Sequence, residues 1–350
     1  LFGGQKGIAG FNEELAKHYD LVCLCSRNNE PGPGISYKTI PELPVTKWQF
    51  LMPACWRRIK RIAREHQATH IILEHPYHGI AGRRAARALG AKLILHAHNI
   101  ESQRFMRMGK WWWRLLFIYE KWVMQKAYLI LFKSVEEMQW GIRHYRVDPG
   151  SCMVLPYGIA RATPPDRDEA KKIISRRHGI APGRKILLFA ATLDYPPNRE
   201  AVKAIQAELV PRLGPDPGYH ILVCGRGMKE AAAMAGIPLT IAGQVEDIEQ
   251  YYGVADAVIN PVQWGGGVQT KNTDALARHC NLVCFTSMAD PELLAAAPGK
   301  IFPCPDGDWD GFVRQIASAV SREEPTPDLF FEQYSWEAII DKLVQRIERG

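Results

Sequence analysis

No stretch of this sequence approaches the roughly 20 consecutive apolar residues that a membrane-crossing helix requires. Its longest apolar runs, such as Lys92-Leu93-Ile94-Leu95 and Tyr128-Leu129-Ile130-Leu131-Phe132, are far too short, so no segment spans a bilayer. Low-complexity tracts and short internal repeats are lacking too, which argues against biased linkers and repeat arrays. No charged, apolar, small-residue leader follows Leu1, so a secretion signal is not expected, although the chain starts without a methionine. The eight cysteines, Cys23, Cys25, Cys55, Cys152, Cys224, Cys280, Cys284 and Cys304, form no C-x-x-C pair and mostly occupy apolar, strand-like surroundings. That usage disfavours zinc and points to buried thiols in a reducing cytosol. No D-x-D stands at a strand end beside a cleft. Gly3-Gly4-Gln5-Lys6-Gly7 is not the G-x-G-x-x-G of a dinucleotide site, and no acidic residue sits convincingly about 20 positions later, which leaves a nicotinamide-dependent oxidoreductase a remote alternative.

The 350 residues, 47% hydrophobic and 23% charged, suit a soluble chain of two domains, each able to bury a core. The net charge of +7 is concentrated in the first half. Arg57, Arg58, Lys60, Arg61 and Arg64 crowd one stretch; Arg104, Arg107, Lys110, Arg114, Lys121 and Lys126 surround Trp111 to Trp113, with Phe105, Phe117, Tyr119 and Trp122 among them. The Arg104 to Lys126 composition suits the headgroup zone of an anionic membrane, a peripheral contact on the inner face of the cell membrane. Leu115, Leu116, Trp122 and Val123 equally form a face that could pack on a sheet. The charge alone would also suit nucleic acid, but no binding motif accompanies it, so no nucleic-acid partner is expected.

Aliphatic runs alternate with helical patterns from end to end. Asp20–Cys25, His70–Glu74, Leu93–His98 and Leu129–Phe132 read as parallel strands, with helices near residues 7–18, 53–67, 79–89 and 101–126 between them. Ile186–Ala190, His220–Gly225, Leu239–Gly243, Ala257–Asn260 and Leu282–Phe285 repeat the pattern. Two doubly wound α/β domains facing across a cleft are expected: residues 1–158, residues 159–330, and a final segment 331–350 whose helix is N-capped by Ser335. Ligands in such sheets bind beyond the carboxyl ends of strands. Gly3-Gly4, His96 to Asn99, Thr192 to Tyr195, Gly225-Arg226-Gly227 and Gly265-Gly266-Gly267 all fall there. The last of these runs through Val268, Gln269 and Thr270 into an apolar-periodic helix with Lys271 and Asp274 on its first turns. Glycines permit close backbone approach, a helix start offers N–H groups, and Lys271 adds a cation: a socket for a phosphorylated ligand.

The order of His98-Asn99-Ile100-Glu101, Val154 to Ile159, Phe189 to Asn198, Val223 to Gly227, Ala255 to Ile259, Trp264 to Leu276 and Tyr334-Ser335-Trp336 resembles the retaining GT-B glycosyltransferases of the group-1 type, family 4, over nearly the whole chain. The resemblance implies two Rossmann-like domains, an acceptor-side one first and a nucleotide-sugar-binding one second, with the last helix crossing back to the first. It further implies that Gly266, Gly267, Val268 and Thr270 contact phosphate, Lys271 supplies the cation and Asp274 binds the ribose. Gly3, Gly4, Asp194, Gly225 and Gly265 belong to the same implied donor-binding set, and His98 contacts or orients the transferred sugar, with Glu101 a weaker candidate. The implied reaction moves a hexose from a UDP- or GDP-linked sugar to a saccharide or lipid-linked acceptor in cell-surface glycan synthesis, with no cofactor and no required metal.

Departures from the family pattern are Asp274 for the usual glutamate, Gly266 eight residues earlier in place of a second glutamate, and Arg278-His279-Cys280-Asn281 for Cys-Gly-x-Pro. They keep open a non-catalytic nucleotide- or sugar-binding module with a degenerate donor site. Chemically, the departing diphosphate is best helped by charge held ready at its oxygens. Lys271 fits that role, and Arg226, freed to turn by its flanking glycines, is the second candidate beside the alternative of a solvated loop arginine.

Overall fold

The computed structural model describes residues 3–29, 34–46, 49–161, 165–214, 218–227, 238–265 and 269–349, with backbone alone for residues 3–6. Helix α1 (Gly3–Leu15) leads to β1 (Val22–Ser26) and β2 (Lys38–Leu43), which form a parallel pair. There follow α2 (Pro53–Glu65), β3 (His70–Glu74), α3 (Gly79–Leu89), β4 (Lys92–Ala97), α4 (Glu101–Arg107), α5 (Trp113–Met124), β5 (Leu129–Phe132), α6 (Val135–Tyr145) and β6 (Cys152–Val154). Strands β3, β4, β5 and β6 lie side by side in that order, all parallel, because helices return the chain to the same sheet edge after each strand.

The second unit runs α7 (Arg167–His178), β7 (Lys185–Ala190), α8 (Pro196–Ala204), α9 (Val210–Leu213), β8 (Tyr219–Cys224), β9 (Leu239–Gly243), α10 (Ile248–Val254), β10 (Ala257–Asn260), α11 (Thr270–Ala277), β11 (Leu282–Phe285), α12 (Pro291–Ala296), β12 (Ile301–Cys304) and α13 (Trp309–Val320). Its parallel sheet has the order β12-β11-β10-β7-β8-β9. From β7 the chain winds outward through β8 to β9, then returns to β10 on the other side. Strand order therefore reverses between β7 and β10, and a crevice is left at their carboxyl ends.

Helices α14 (Asp328–Tyr334) and α15 (Trp336–Glu348) close the chain. Where the chain returns, Ile159 N–H donates to the Tyr334 carbonyl at 2.8 Å and Trp336 N–H donates to the Ile159 carbonyl at 3.1 Å. Ser335 caps α15 by accepting from Ala338 N–H at 3.3 Å. The apolar face Ile339, Ile340, Leu343 and Ile347 then packs with Phe11 and Leu15 of α1 and with Ile94, Leu129 and Leu131 of the first sheet. The last helix thus joins the core of the first unit. The Trp336 ring rests on Gly10 and Gly158, and a methyl group at either glycine would collide with it.

One expectation needs correction. Residues 101–126 do not form a single helix: α4 ends at Arg107, Gly109 turns the backbone at φ 67°, and α5 starts at Trp113. A left-handed glycine is a common helix terminator, so the break is where the chain can make it most cheaply. Leu115 is likewise exposed rather than packed on the sheet.

Candidate active site

Lys271 reaches into the crevice between β7 and β10. Its Nζ donates to Asn198 Oδ1 on α8 at 2.8 Å and lies 3.5 Å from Asn260 Oδ1 at the end of β10. Both asparagines are buried and held in turn: Asn198 Nδ2 donates to the Thr192 carbonyl at 2.7 Å, and Asn260 Nδ2 donates to Asn272 Oδ1 at 2.8 Å. The Phe189 ring lies 5.5 Å from the ammonium. Among the described residues no carboxylate pairs with it, and burial pushes its pKa down to about 7. A desolvated cation offered only neutral amides is electrostatically incomplete, and an anion arriving there gains more than it would in water.

Thr270 begins α11, whose first turn contains no acidic residue and whose N-cap, Gln269, makes no side-chain capping bond. The helix start therefore keeps its positive end uncompensated by its own side chains. Gly265 is described, at φ 153° and with the Tyr195 hydroxyl 3.5 Å from where a Cβ would stand; Gly266, Gly267 and Val268 lie outside the described residues. One turn along α11, Asp274 Oδ1 lies 3.4 Å from Arg278 Nη1, while Arg278 also grips both Glu249 oxygens at 2.5 and 2.7 Å and covers the Tyr252 ring at 4.5 Å. Burial, with Asp274's charge adding to it, raises the hydroxyls of Tyr157 and Tyr252. Tyr157 in turn presses on Gly7 of α1, where a Cβ would stand 2.9 Å from the ring. Asp274 is thereby linked through Tyr157 to the helix that Gly3 and Gly4 open.

The loops after β7 and β8 meet. Arg226 donates to Asp194 Oδ2 from Nε at 3.1 Å and from Nη2 at 3.0 Å, with about half of each side chain in solvent. These two candidates form a pair. Gly225 admits no side chain, since a Cβ would overlap the Ala191 carbonyl, and at Gly227 (φ 103°) it would sit 2.5 Å from Asp194 Oδ1. The glycines serve to bring the two loops together.

At the carboxyl edge of the first sheet His98 follows β4, and its Nε2 is 2.5 Å from Glu74 Oε2 at the end of β3. Glu74 also faces His96 Nδ1 at 3.0 Å, and Lys133, just beyond β5, lies 2.6 Å from His96 Nε2. Burial alone would raise the Glu74 carboxyl, yet the adjoining His96 and His98 rings hold it well below the usual carboxylate range. Burial pushes His96 down to about 3 and His98 down as well, against the pull of Glu74, while it brings Lys133 to about 8. Glu101 is buried and accepts from the Tyr77 hydroxyl at 2.9 Å, with His75 Nδ1 at 3.2 Å. Glu120, also buried, accepts from the N–H groups of Glu101 and Ser102 at 2.8 and 2.9 Å and so anchors the start of α4 beside His98. His75 adopts φ 71°, a strained backbone for a residue with a side chain, costing about 1–3 kcal/mol.

Glu74, His96 and His98 present ligand-type atoms within 4.8 Å of one another, a grouping that could hold a metal ion. The donor chemistry opposes it. At neutral pH Lys133 is mostly cationic and donates to His96 Nε2, which places the ring's proton on Nδ1 and makes that atom a donor to Glu74, not a metal ligand. A cavity of about 460 Å³ opens elsewhere, at the chain crossing between Glu14, Ile159, Arg161, Phe331 and Trp336, and no residue of the site lines it.

Asn198, Asn260, Glu74, Lys133 and Glu120 were not among the residues singled out in sequence. The one available signal was register: Glu74 pairs with His96 across β3 and β4 once those strands are aligned.

The first half of the chain, residues 3–162, matches the family model for Glycosyltransferase Family 4, and residues 184–322 match that for Glycosyl transferases group 1. Among curated proteins none matches in sequence. Among solved structures, sucrose-phosphate synthase from Thermosynechococcus elongatus superposes with a TM-score of 0.72 at 14% identity, over 98% of this chain and 92% of its own. HepE from Anabaena, in complex with UDP-glucose, gives 0.74 at 11% identity over 100% and 97%. The lipopolysaccharide outer core galactosyltransferase WaaB gives 0.63 at 12% identity over 100% and 96%. Identities this low speak for the fold, two parallel-sheet units in the GT-B arrangement, while the two family matches lie end to end over both units. The chain belongs to the group-1 glycosyltransferases of family 4, nucleotide-sugar-dependent enzymes of the retaining type.

Proposed function

We propose that this enzyme transfers a hexose from a UDP-linked sugar, UDP-glucose being the first donor to test, to a saccharide or lipid-linked acceptor, with Lys271 and the start of α11 receiving the diphosphate. The observation that carries this reading is the burial of Lys271 among amides with no carboxylate partner among the described residues. Such a cation stabilises the leaving diphosphate without waiting for solvent to reorganise, the help a transition state of this kind most needs. A cation and helix N–H groups at this place make a divalent metal unnecessary. The UDP-glucose held by HepE supports the choice of donor. Asp274, steadied by Arg278, takes the ribose, and His98 touches the sugar.

An acceptor carried on a lipid agrees with the outer face of α4 and α5. Met106, Met108, Trp111, Leu115 and Ile118 are exposed, Trp111 by 82%, and the cations Arg104, Arg107, Lys110 and Arg114 lie among them. Phe117, Tyr119, Trp122 and Val123 pack inward, so the segment divides its two uses between two faces. This outer face suits the inner leaflet of a cell membrane.

Purified protein mixed with UDP- and GDP-linked sugars tests the reading. Saturable nucleotide binding and turnover of a UDP-sugar, insensitive to chelator, are expected. Binding without turnover over a broad acceptor panel would favour a non-catalytic module, and indifference to every nucleotide would defeat both.

A further inference from the structure

The cluster at the edge of the first sheet has a direction. Lys133 donates to His96 Nε2 at 2.6 Å, so the His96 proton sits on Nδ1 and points at Glu74, 3.0 Å away. The carboxylate, ionised between two rings, can only accept, so the short contact of 2.5 Å from His98 requires the proton to sit on His98 Nε2. Each of these atoms then has its partner. The exception is His98 Nδ1, which makes no hydrogen bond within the described residues; the ring's other neighbours are the His96 and His75 rings, at centroid distances of 4.3 and 4.6 Å. His98 retains 11% of its side-chain exposure, whereas His96 has none.

We propose that Glu74 is the positioning residue for His98: by accepting a hydrogen bond from Nε2–H it fixes the ring in the Nε2–H tautomer and leaves Nδ1 as an acceptor for a hydroxyl of the bound sugar. The proposal rests on the glycosyltransferase reading for the identity of that hydroxyl, but the tautomer follows from the cluster alone. The arrangement explains why an ionic cluster is kept at a sheet edge. Lys133 balances the Glu74 charge through His96, and the carboxylate is held from two sides, so its second oxygen cannot swing away from His98. An imidazole free to exchange tautomers would present a donor at Nδ1 for part of the time. Here the exchange would cost the bond to Glu74. The groups that set the ring's charge are Glu74 from β3, His75 from the following loop and Lys133 from beyond β5.

Selective ¹⁵N-histidine labelling of the full chain tests this, with the His98 signals assigned by their loss in His98→Gln. Long-range proton–nitrogen correlations distinguish the two neutral tautomers and the charged ring. Between pH 7 and 8 the wild-type ring is expected to be neutral and Nε2–H. In Glu74→Gln it is expected to populate both tautomers, with kcat for the transferred sugar down about 10- to 100-fold and KM for the nucleotide sugar within about twofold, since the diphosphate grip lies elsewhere. Glu74→Asp should restore the single tautomer and part of kcat. A wild-type His98 that is charged or Nδ1–H overturns the proposal, as does Glu74→Gln with tautomer and kcat unchanged. Should Glu74→Gln fail to fold, the wild-type spectrum still decides. Failure of every nucleotide sugar to bind would defeat the transferase reading while leaving the tautomer measurable, so the two failures are distinct.

Discussion

Lys271 sits among asparagines at a point where a carboxylate would have satisfied it more simply. The consequence is opposite for stability and for binding. Its pKa in the folded chain is about 7, against an ordinary 10.5. Between those values the unfolded chain holds a proton that the folded one has released, so stability rises with pH across this window, and below pH 7 the full cost of the buried charge is present. Lys271→Met is therefore expected to unfold at a higher temperature than wild type at pH 6, with the advantage shrinking towards pH 9; thermal unfolding at the two pH values checks it. For a diphosphate the preference reverses, because the anion needs the ammonium. UDP affinity should fall as pH rises above about 7, and Lys271→Ala should weaken it by about 10- to 100-fold at pH 6.5, the loss of one charge-assisted hydrogen bond. Calorimetric titration reads both effects. Lys271 could be found in the sequence because a glycine run and a helix start announced it. Asn198 and Asn260 could not, since they come from two other elements and only the fold brings their amides to the ammonium. Glu74 is the same case: its partner His96 lies 22 residues away and becomes its neighbour only through the strand register.

Among the elements, the crossing at Trp336 is where a small change should be felt most. A methyl at Gly158 would meet the indole ring, so Gly158→Ala is expected to lower stability by about 1–3 kcal/mol, read by urea unfolding. Trp336→Ala should cost about 3–5 kcal/mol by emptying the same place. The exposed face of α4 and α5 behaves differently. Replacing Trp111 and Leu115 by serine touches no core and should leave stability within about 0.5 kcal/mol. It should nevertheless reduce co-sedimentation with vesicles rich in phosphatidylglycerol, and raised salt should reduce it further. Unchanged sedimentation would remove the membrane from the proposed function. The strands found in sequence, β1, β3, β4, β5 and β7 to β11, are uninterrupted or nearly uninterrupted apolar runs. Strand β2 escaped because Lys38-Thr39-Ile40-Pro41-Glu42-Leu43 carries a proline and two charges on an edge, and β12 because Pro303 interrupts the short run Ile301-Phe302-Pro303-Cys304. The α4–α5 break was missed because the aromatic and basic pattern continues across Gly109.

At the scale of the molecule, two parallel sheets present their carboxyl edges with different equipment. The second unit supplies a cation at a helix start; the first supplies an imidazole locked by a carboxylate. They are joined through Tyr157, which lies against Gly7 and within the influence of Asp274, and through Glu292, which accepts from Val135 N–H at 3.2 Å. That division could be read from motif order because the alternation of strand and helix fixes which loops reach the same edge. The return of α15 to α1, through contacts more than 300 residues apart in sequence, is carried by no local pattern and was expected only from the family resemblance. A crystal of the full chain grown with UDP would decide what that architecture is for. The diphosphate is expected within hydrogen-bonding distance of Lys271 Nζ and the first turn of α11, with the ribose towards Asp274. A diphosphate bound away from α11, or a crevice left empty at saturating UDP, would refute the assignment of Lys271 as the group that receives the leaving diphosphate.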